Sequence, residues 1–190
     1  MNTKNLTIFA SGNGTNAENL VRYFEGSNTK IKLILSNNPD AFVLKRAESL
    51  GVASKLFTRG EMNDPSNLLA YLKSQDIDWI ILAGFIWWLP THFVDAYPNH
   101  IINIHPSLLP KFGGKGMIGD KVHEAVKAAG ETETGMTIHY VNPVLDGGQI
   151  IFQAKCNLTE EDTVETISAK VHGLEMEHFP KVIERLVNEQ

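Results

Sequence analysis

The sequence predicts an α/β fold: a Rossmann-like, mostly parallel twisted sheet with helices on both faces and an antiparallel C-terminal addition. Three observations predict it. Short apolar runs alternate with helical patterns through the first half, as strands joined by crossover helices do. A glycine-rich turn separates the first apolar run from the first helix, where open α/β sheets bind ligands. The second half then carries two strand-like runs joined through Leu145-Asp146-Gly147-Gly148, which suits an antiparallel pair.

The elements follow in order. Leu6 to Ala10 reads as a buried strand and Ala17 to Phe24 as a helix. Ile31 to Leu35 is the second strand; Ala41 to Leu50 is the second helix, closed by Gly51. Val52 to Phe57 is a weaker third strand. Asp64-Pro65 opens a helix running to Gln75, with the aspartate as N-cap and proline in the first turn. Trp79 to Leu82 and Ile101 to Ile104 are the fourth and fifth strands, and Met136 to Val141 and Gln149 to Cys156 form the added pair. A long helix from Thr163 to Asn188 closes the chain, with Val164, Ile167, Val171 and Leu174 at helical spacing and Pro180 expected to bend or divide it.

The chain has 190 residues, of which 43% are hydrophobic, enough for one domain spanning 1–190. Nothing repeats and no segment reads as a linker. The net charge of -5 excludes a global basic field for nucleic acid or anionic lipid. It leaves room for a small phosphorylated substrate, because backbone N–H groups and a helix N-terminus hold one phosphate without net positive charge. The single cysteine, Cys156, makes no internal disulfide and has no metal-ligand spacing, so no metal is expected. It is expected to be buried in a strand. Met1 to Leu6 has no signal-peptide architecture, and the apolar run Trp79 to Pro90 is too short to span a bilayer. The expectation is a cytoplasmic protein without a membrane partner, either monomer or homodimer.

Two segments carry chemistry. Gly12, Asn13, Gly14, Thr15 and Asn16 follow strand one and open helix one, where glycines let the backbone approach an anion and the helix dipole favours it. The same residues also suit a plain strand-to-helix turn capped by Thr15. Gly12, Gly14 and Ala17 satisfy a relaxed dinucleotide pattern, but strand two ends Ser36-Asn37-Asn38, without the acid that holds a ribose. A mononucleotide or sugar phosphate fits better. The second segment is Asn103-Ile104-His105-Pro106-Ser107-Leu108-Leu109-Pro110. Strand alternation puts Asn103 and His105 on one face, and Pro106 ends the ladder. An amide donor and a titratable imidazole therefore stand together at a strand end, which also suits a polar terminus with a satisfied histidine.

Asn103 to Pro110 resembles the signature of the folate-dependent formyltransferases. Leu82-Ala83-Gly84-Phe85 and Leu145-Asp146-Gly147-Gly148 resemble the same family at the expected chain order, and Ser11 to Asn16 resembles its branch acting on glycinamide ribonucleotide. The resemblance covers nearly the whole chain. It implies formyl transfer from 10-formyltetrahydrofolate to the amine of glycinamide ribonucleotide, in purine synthesis, with Asn103, His105 and Asp146 catalytic. Such transfer needs donors for an oxyanion and a route for a proton. Asn103 donates without titrating, His105 donates or carries a proton, and Asp146 can orient a water that shuttles it. Turn chemistry alone also accounts for Asp146.

The resemblance further implies that Ile86, Trp87, Trp88 and Leu89, with Asn142, Pro143, Val144 and Leu145, line a slot for the flat pteridine. Ile86 and Leu89 rank ahead of the tryptophan side chains. Gly12 to Asn16 would hold the substrate phosphate, Glu175 would meet its sugar, and His172 falls where relatives place a polar contact. Lys111 to Met117 is a glycine-rich departure that reads equally as a mobile lid or a plain loop. Some relatives have an arginine near Asp64-Pro65; none matches at that position here, and Arg59, nearby but unaligned, is left unassigned. Three alternatives stay open: a formyltransferase for an amino sugar, a non-catalytic nucleotide- or folate-binding module, and a dinucleotide oxidoreductase.

Overall fold

Leu6, Ile8 and Ala10 are buried against one helical layer, and Phe9 against another, so the first strand has a core on both faces. A strand covered on both sides is what a βαβ sheet produces. The computed structural model describes residues 3–189; the reading of the N-terminal segment at Met1 and Asn2, and the residue Gln190, fall outside the described residues.

The strands are β1 (Lys4–Phe9), β2 (Thr29–Ser36), β3 (Ala53–Leu56), β4 (Trp79–Ala83), β5 (Ile101–His105), β6 (Glu133–Tyr140) and β7 (Ile150–Asn157). They form one seven-stranded sheet in the order β3-β2-β1-β4-β5-β6-β7. Neighbours from β3 to β5 are parallel, and β6 and β7 add antiparallel, as expected from sequence. The helices are α1 (Thr15–Tyr23), α2 (Phe42–Ser49), α3 (Arg59–Asn63), α4 (Ala70–Ser74), α5 (Thr91–Ala96), α6 (Asp120–Ala128) and α7 (Val164–Asn188).

One core lies between the sheet and α1, α2 and α7, where Leu20, Val43, Val171 and Phe179 meet Ile8, Ile81 and Ile102. The other holds Met62, Leu68, Leu72 and Phe93 against Phe9, Leu35 and Ile80. Each such side chain contributes about 1.5–3 kcal/mol on burial. Strand β4 is buried throughout, which suits its central place, whereas β3 at the edge is largely exposed.

Four expectations need correction. The segment opened by Asp64 begins with a π-helical turn, Pro65–Leu69, before α4, although Asp64 does accept from Ser66 N–H as a cap. The short helices α3, α5 and α6 lack a long apolar period and escaped the sequence reading. The β6–β7 connection is no tight hairpin: residues 141–149 loop out between the strands. Pro180 does not divide α7, which runs unbroken through it. Proline removes the N–H that would bond the carbonyl four residues back. Asn19 Nδ2 of α1 donates to that carbonyl, on Met176, at 2.8 Å.

Candidate active site

Beyond the carboxyl ends of β4 and β5, between the crossover to α1 and the residue 141–149 loop, the fold leaves a cavity of about 640 Å³. Sheet order explains its place: chain connections leave β1 and β4 in opposite directions, opening a crevice at their ends.

Asn103 and His105 lie on one face of β5, and the antiparallel register sets them opposite His139 and Thr137 of β6. Asn103 Nδ2 lies 3.0 Å from His139 Nε2. His139 Nδ1 stands 2.9 Å from its neighbour's carbonyl, on Tyr140, and can only donate there. His139 Nε2 is therefore the acceptor, and Asn103 donates one of its two amide hydrogens to it. Burial pushes the His139 imidazole below its ordinary value, which keeps this neutral tautomer in place. His105 Nε2 donates to Phe112 O at 2.8 Å, so Nδ1 is the ring nitrogen on the Asp146 side.

Asp146 reaches these groups from the 141–149 loop. Its own φ is 53°, a left-handed conformation that Asp tolerates better than most residues. Its Oδ2 accepts from Gly114 N–H at 2.7 Å. Its Oδ1 stands 3.9 Å from both His105 Nδ1 and His139 Nε2. The loop is wedged: a Cβ on Gly148 would lie 1.6 Å from Tyr140 O. Asn142 ties it further, donating to Gly147 O and accepting from Val144 N–H.

Of the pteridine-slot residues proposed from sequence, Ile86, Trp87, Trp88, Leu89, Asn142, Val144 and Leu145 line the cavity; Pro143 does not. Leu89 is buried, while Ile86 and Trp88 are exposed at 47% and 55%. The Arg59 guanidinium lies 4.4 Å from the Trp87 ring. Residues 114–119 close another side, a stretch where Gly114, Gly116 and Gly119 have positive φ.

Asn16 also lines the cavity, but Gly12 to Thr15 stand beside it rather than in its wall. Thr15 does not cap α1: the N-cap is Gly14 at φ 78°, without a side-chain bond. A Cβ there would lie 2.3 Å from Val43 Cγ2, so the loop requires glycine. Among the described residues, the N–H groups of Gly12, Asn13 and Gly14 have no hydrogen-bond partner. Free donors at a helix N-terminus suit an anion. Glu175 faces the same place, accepting from Asn16 Nδ2 at 2.9 Å, with His172 Nδ1 at 3.3 Å from the same oxygen.

Two cavity histidines escaped the sequence reading. His139 is one; its only signal is alternation with Thr137 as a polar residue in an apolar strand. His123, on α6, is the other: it is buried, its Nδ1 has no partner among the described residues, and burial lowers its imidazole. No group of three or more metal-ligating side chains occurs among the described residues. Cys156 lies in β7 as expected but only half-buried, and burial pushes its thiol up, away from nucleophile chemistry.

A family profile described as formyl transferase matches residues 4–183. The chain belongs to the formyl transferase family. This formyl transferase is 35% identical to the phosphoribosylglycinamide formyltransferase of Bacillus subtilis, over 97% of its own length and 95% of the relative's. It is 34% identical to the chloroplastic phosphoribosylglycinamide formyltransferase of Arabidopsis thaliana, covering 98% of this chain and 66% of that one. The chain thus spans just under two thirds of the plant relative's length. The crystal structure of the phosphoribosylglycinamide formyltransferase from Anaplasma phagocytophilum superposes with a TM-score of 0.89 at 34% identity, over 98% of this chain and 88% of that one. No helix among the described residues is long and apolar enough to cross a membrane.

Proposed function

We propose that this formyl transferase moves the formyl group of 10-formyltetrahydrofolate onto the amine of glycinamide ribonucleotide, as a cytoplasmic enzyme of purine synthesis acting through one domain. The observation that carries the reading is the convergence of Asn103, His105 and Asp146 on one cavity, which Asn16 lines and beside which the loop leaves free N–H groups. An apolar wall for a flat ring and an anion site for a phosphate then flank one set of donors.

The neutral amine attacks the formyl carbon, and its carbonyl oxygen gains negative charge. The second amide hydrogen of Asn103 meets that oxygen, since the first is held by His139. His105 supplies a further donor when charged. The attacking nitrogen must lose a proton and the departing folate nitrogen must gain one. Asp146 Oδ1 lies 3.9 Å from two imidazole nitrogens, a separation that one bridging water spans. The carboxylate accepts the proton through that water, and the water returns it to the leaving nitrogen. Glu175 and Asn16 would hold the sugar hydroxyls between the two ends.

The test is absorbance change on loss of formyl from a 10-formylfolate analogue, with and without glycinamide ribonucleotide. Turnover that requires glycinamide ribonucleotide is expected. Asp146→Asn and His105→Ala should each lower kcat by roughly 100-fold or more. Turnover of an amino sugar in its place, or folate binding without transfer, would overturn the assignment.

A further inference from the structure

The carbonyls of Ser11 to Gly14 are all held by donors, while the N–H groups of Gly12 to Gly14 are free among the described residues. Ser11 O accepts from Asn38 Nδ2 at 3.2 Å, Gly12 O from Val43 N–H at 3.1 Å, and Asn13 O from Arg46 Nε at 2.8 Å. Gly14 O accepts from Glu18 N–H within α1. Three of these four donors come from the β2–α2 segment, which touches no other part of the cavity. A peptide plane has its N–H and C=O on opposite edges, so turning the carbonyls outward turns the amides inward.

Arg46 contributes most to this arrangement. Besides Asn13 O, its Nη2 donates to Asn13 Oδ1 at 2.8 Å, so both oxygens of one residue sit in one guanidinium fork. Its Nη1 pairs with Glu18 of α1. Glu18 also pairs with Arg22 at 2.8 Å. The Phe42 ring packs 4.9 Å from the guanidinium carbon. Each nitrogen of the arginine therefore donates within the α1–α2 region, and Glu18, shared with Arg22, offsets part of its charge. A residue in that condition acts on a phosphate through the loop rather than by direct contact.

We propose that Arg46 is a positioning residue for the substrate phosphate, holding Asn13 so that the loop amides are set for an anion before substrate arrives. The proposal rests on the phosphate-loop part of the function given above. Preorganised donors bind without the cost of ordering them, and a displacement of the loop by about 1 Å is enough to lose much of that advantage.

The experiment compares wild type, Arg46→Ala, Arg46→Lys and Glu18→Asp by steady-state kinetics and by calorimetric titration with inorganic phosphate. Arg46→Ala should raise the KM for glycinamide ribonucleotide by about tenfold or more, with kcat and the folate KM within about twofold. Phosphate affinity should fall by a similar factor. Arg46→Lys, which keeps the charge but not the fork, should recover only part of the loss. Glu18→Asp keeps the charge and withdraws the anchor from Arg46, so it separates position from charge. A positioning arginine loses an anchor and phosphate binds more weakly; an arginine that touches phosphate is released and phosphate binds more tightly. Unchanged phosphate affinity in Arg46→Ala, or tighter binding in Glu18→Asp, would overturn the proposal. An equal rise in both KM values would mark a general structural loss and also count against it. Phosphate binding by a wild type that does not turn over glycinamide ribonucleotide would fail the proposed function while leaving the loop argument standing.

Discussion

Asn103 and His139 are direct cross-strand partners on β5 and β6, joined side chain to side chain at 3.0 Å. The pair fixes which amide hydrogen of Asn103 is spent and which is free. It also needs His139 neutral, and burial supplies that. An asparagine without this anchor would rotate about χ2, a soft torsion, and lose its aim.

His139→Ala should therefore lower kcat by on the order of 100-fold, with both KM values little changed. Glutamine at this position offers an acceptor oxygen in place of the ring nitrogen. His139→Gln should recover part of the rate. Steady-state kinetics on both variants checks this, and equal loss in the two would show that the ring does something other than hold Asn103.

Stability should fall on mild acidification. His123 and His139 are both buried, and desolvation is the main cause lowering both imidazoles. An unfolded-chain histidine titrates near 6.5. Below about that pH the unfolded chain takes up protons that the folded chain refuses, so folding stability drops as pH falls toward the folded values. His172 runs the other way: Glu175 raises it, which adds stability at low pH that is lost as pH rises through its folded value. Its side chain is 42% exposed, so solvent screening discounts that contribution. Asp162, held low by Lys170 and Thr159, loses its contribution only below about pH 4. Urea midpoints should thus be lower at pH 5.5 than at pH 7.5, and His123→Gln should flatten the difference. A midpoint that rises on acidification would refute the assignment.

The sheet was legible in the sequence because its strands are dense apolar runs with helices between them. Asn103, His105 and the glycine loop were legible because each is compact: a few adjacent residues at a strand end. His139 was not, since it meets Asn103 only across 36 residues and through an antiparallel register that no local pattern encodes. Asp146 was found, but its surroundings were misread. Asp-Gly-Gly suits a tight turn, yet β6 ends at Tyr140 and the aspartate stands in a wide loop instead. The three missed helices are short, without a long amphipathic period, and α3 begins on a Thr58–Glu61 capping box rather than on an apolar repeat.

Trp88 gives an optical handle on the apolar wall. Trp79 is fully buried and Trp87 half-buried, whereas Trp88 is 55% exposed on the cavity rim. A flat ring bound between Ile86 and Val144 would cover it. Acrylamide quenching of tryptophan emission should fall when a folate analogue saturates the protein, and Trp88→Phe should remove most of the fall. Persistence of the full effect in that variant would place the ring elsewhere.

Pro180 and Asn19 make a further pair whose coupling can be measured. Pro180 leaves the Met176 carbonyl without its helical donor, and Asn19 Nδ2 supplies one from α1. Asn19→Ala should destabilise the fold by about 1 kcal/mol, the lower end for an acceptor left unpaired, since this one is only part-buried. Pro180→Ala restores a backbone N–H that can reach the same carbonyl. In that background Asn19→Ala should cost less, by about 0.5 kcal/mol, the lower end of the net worth of one hydrogen bond. Chemical denaturation of the four proteins in the cycle reads this directly. Strict additivity would mean that the Asn19 bond stabilises α1 against α7 for reasons unconnected with the proline.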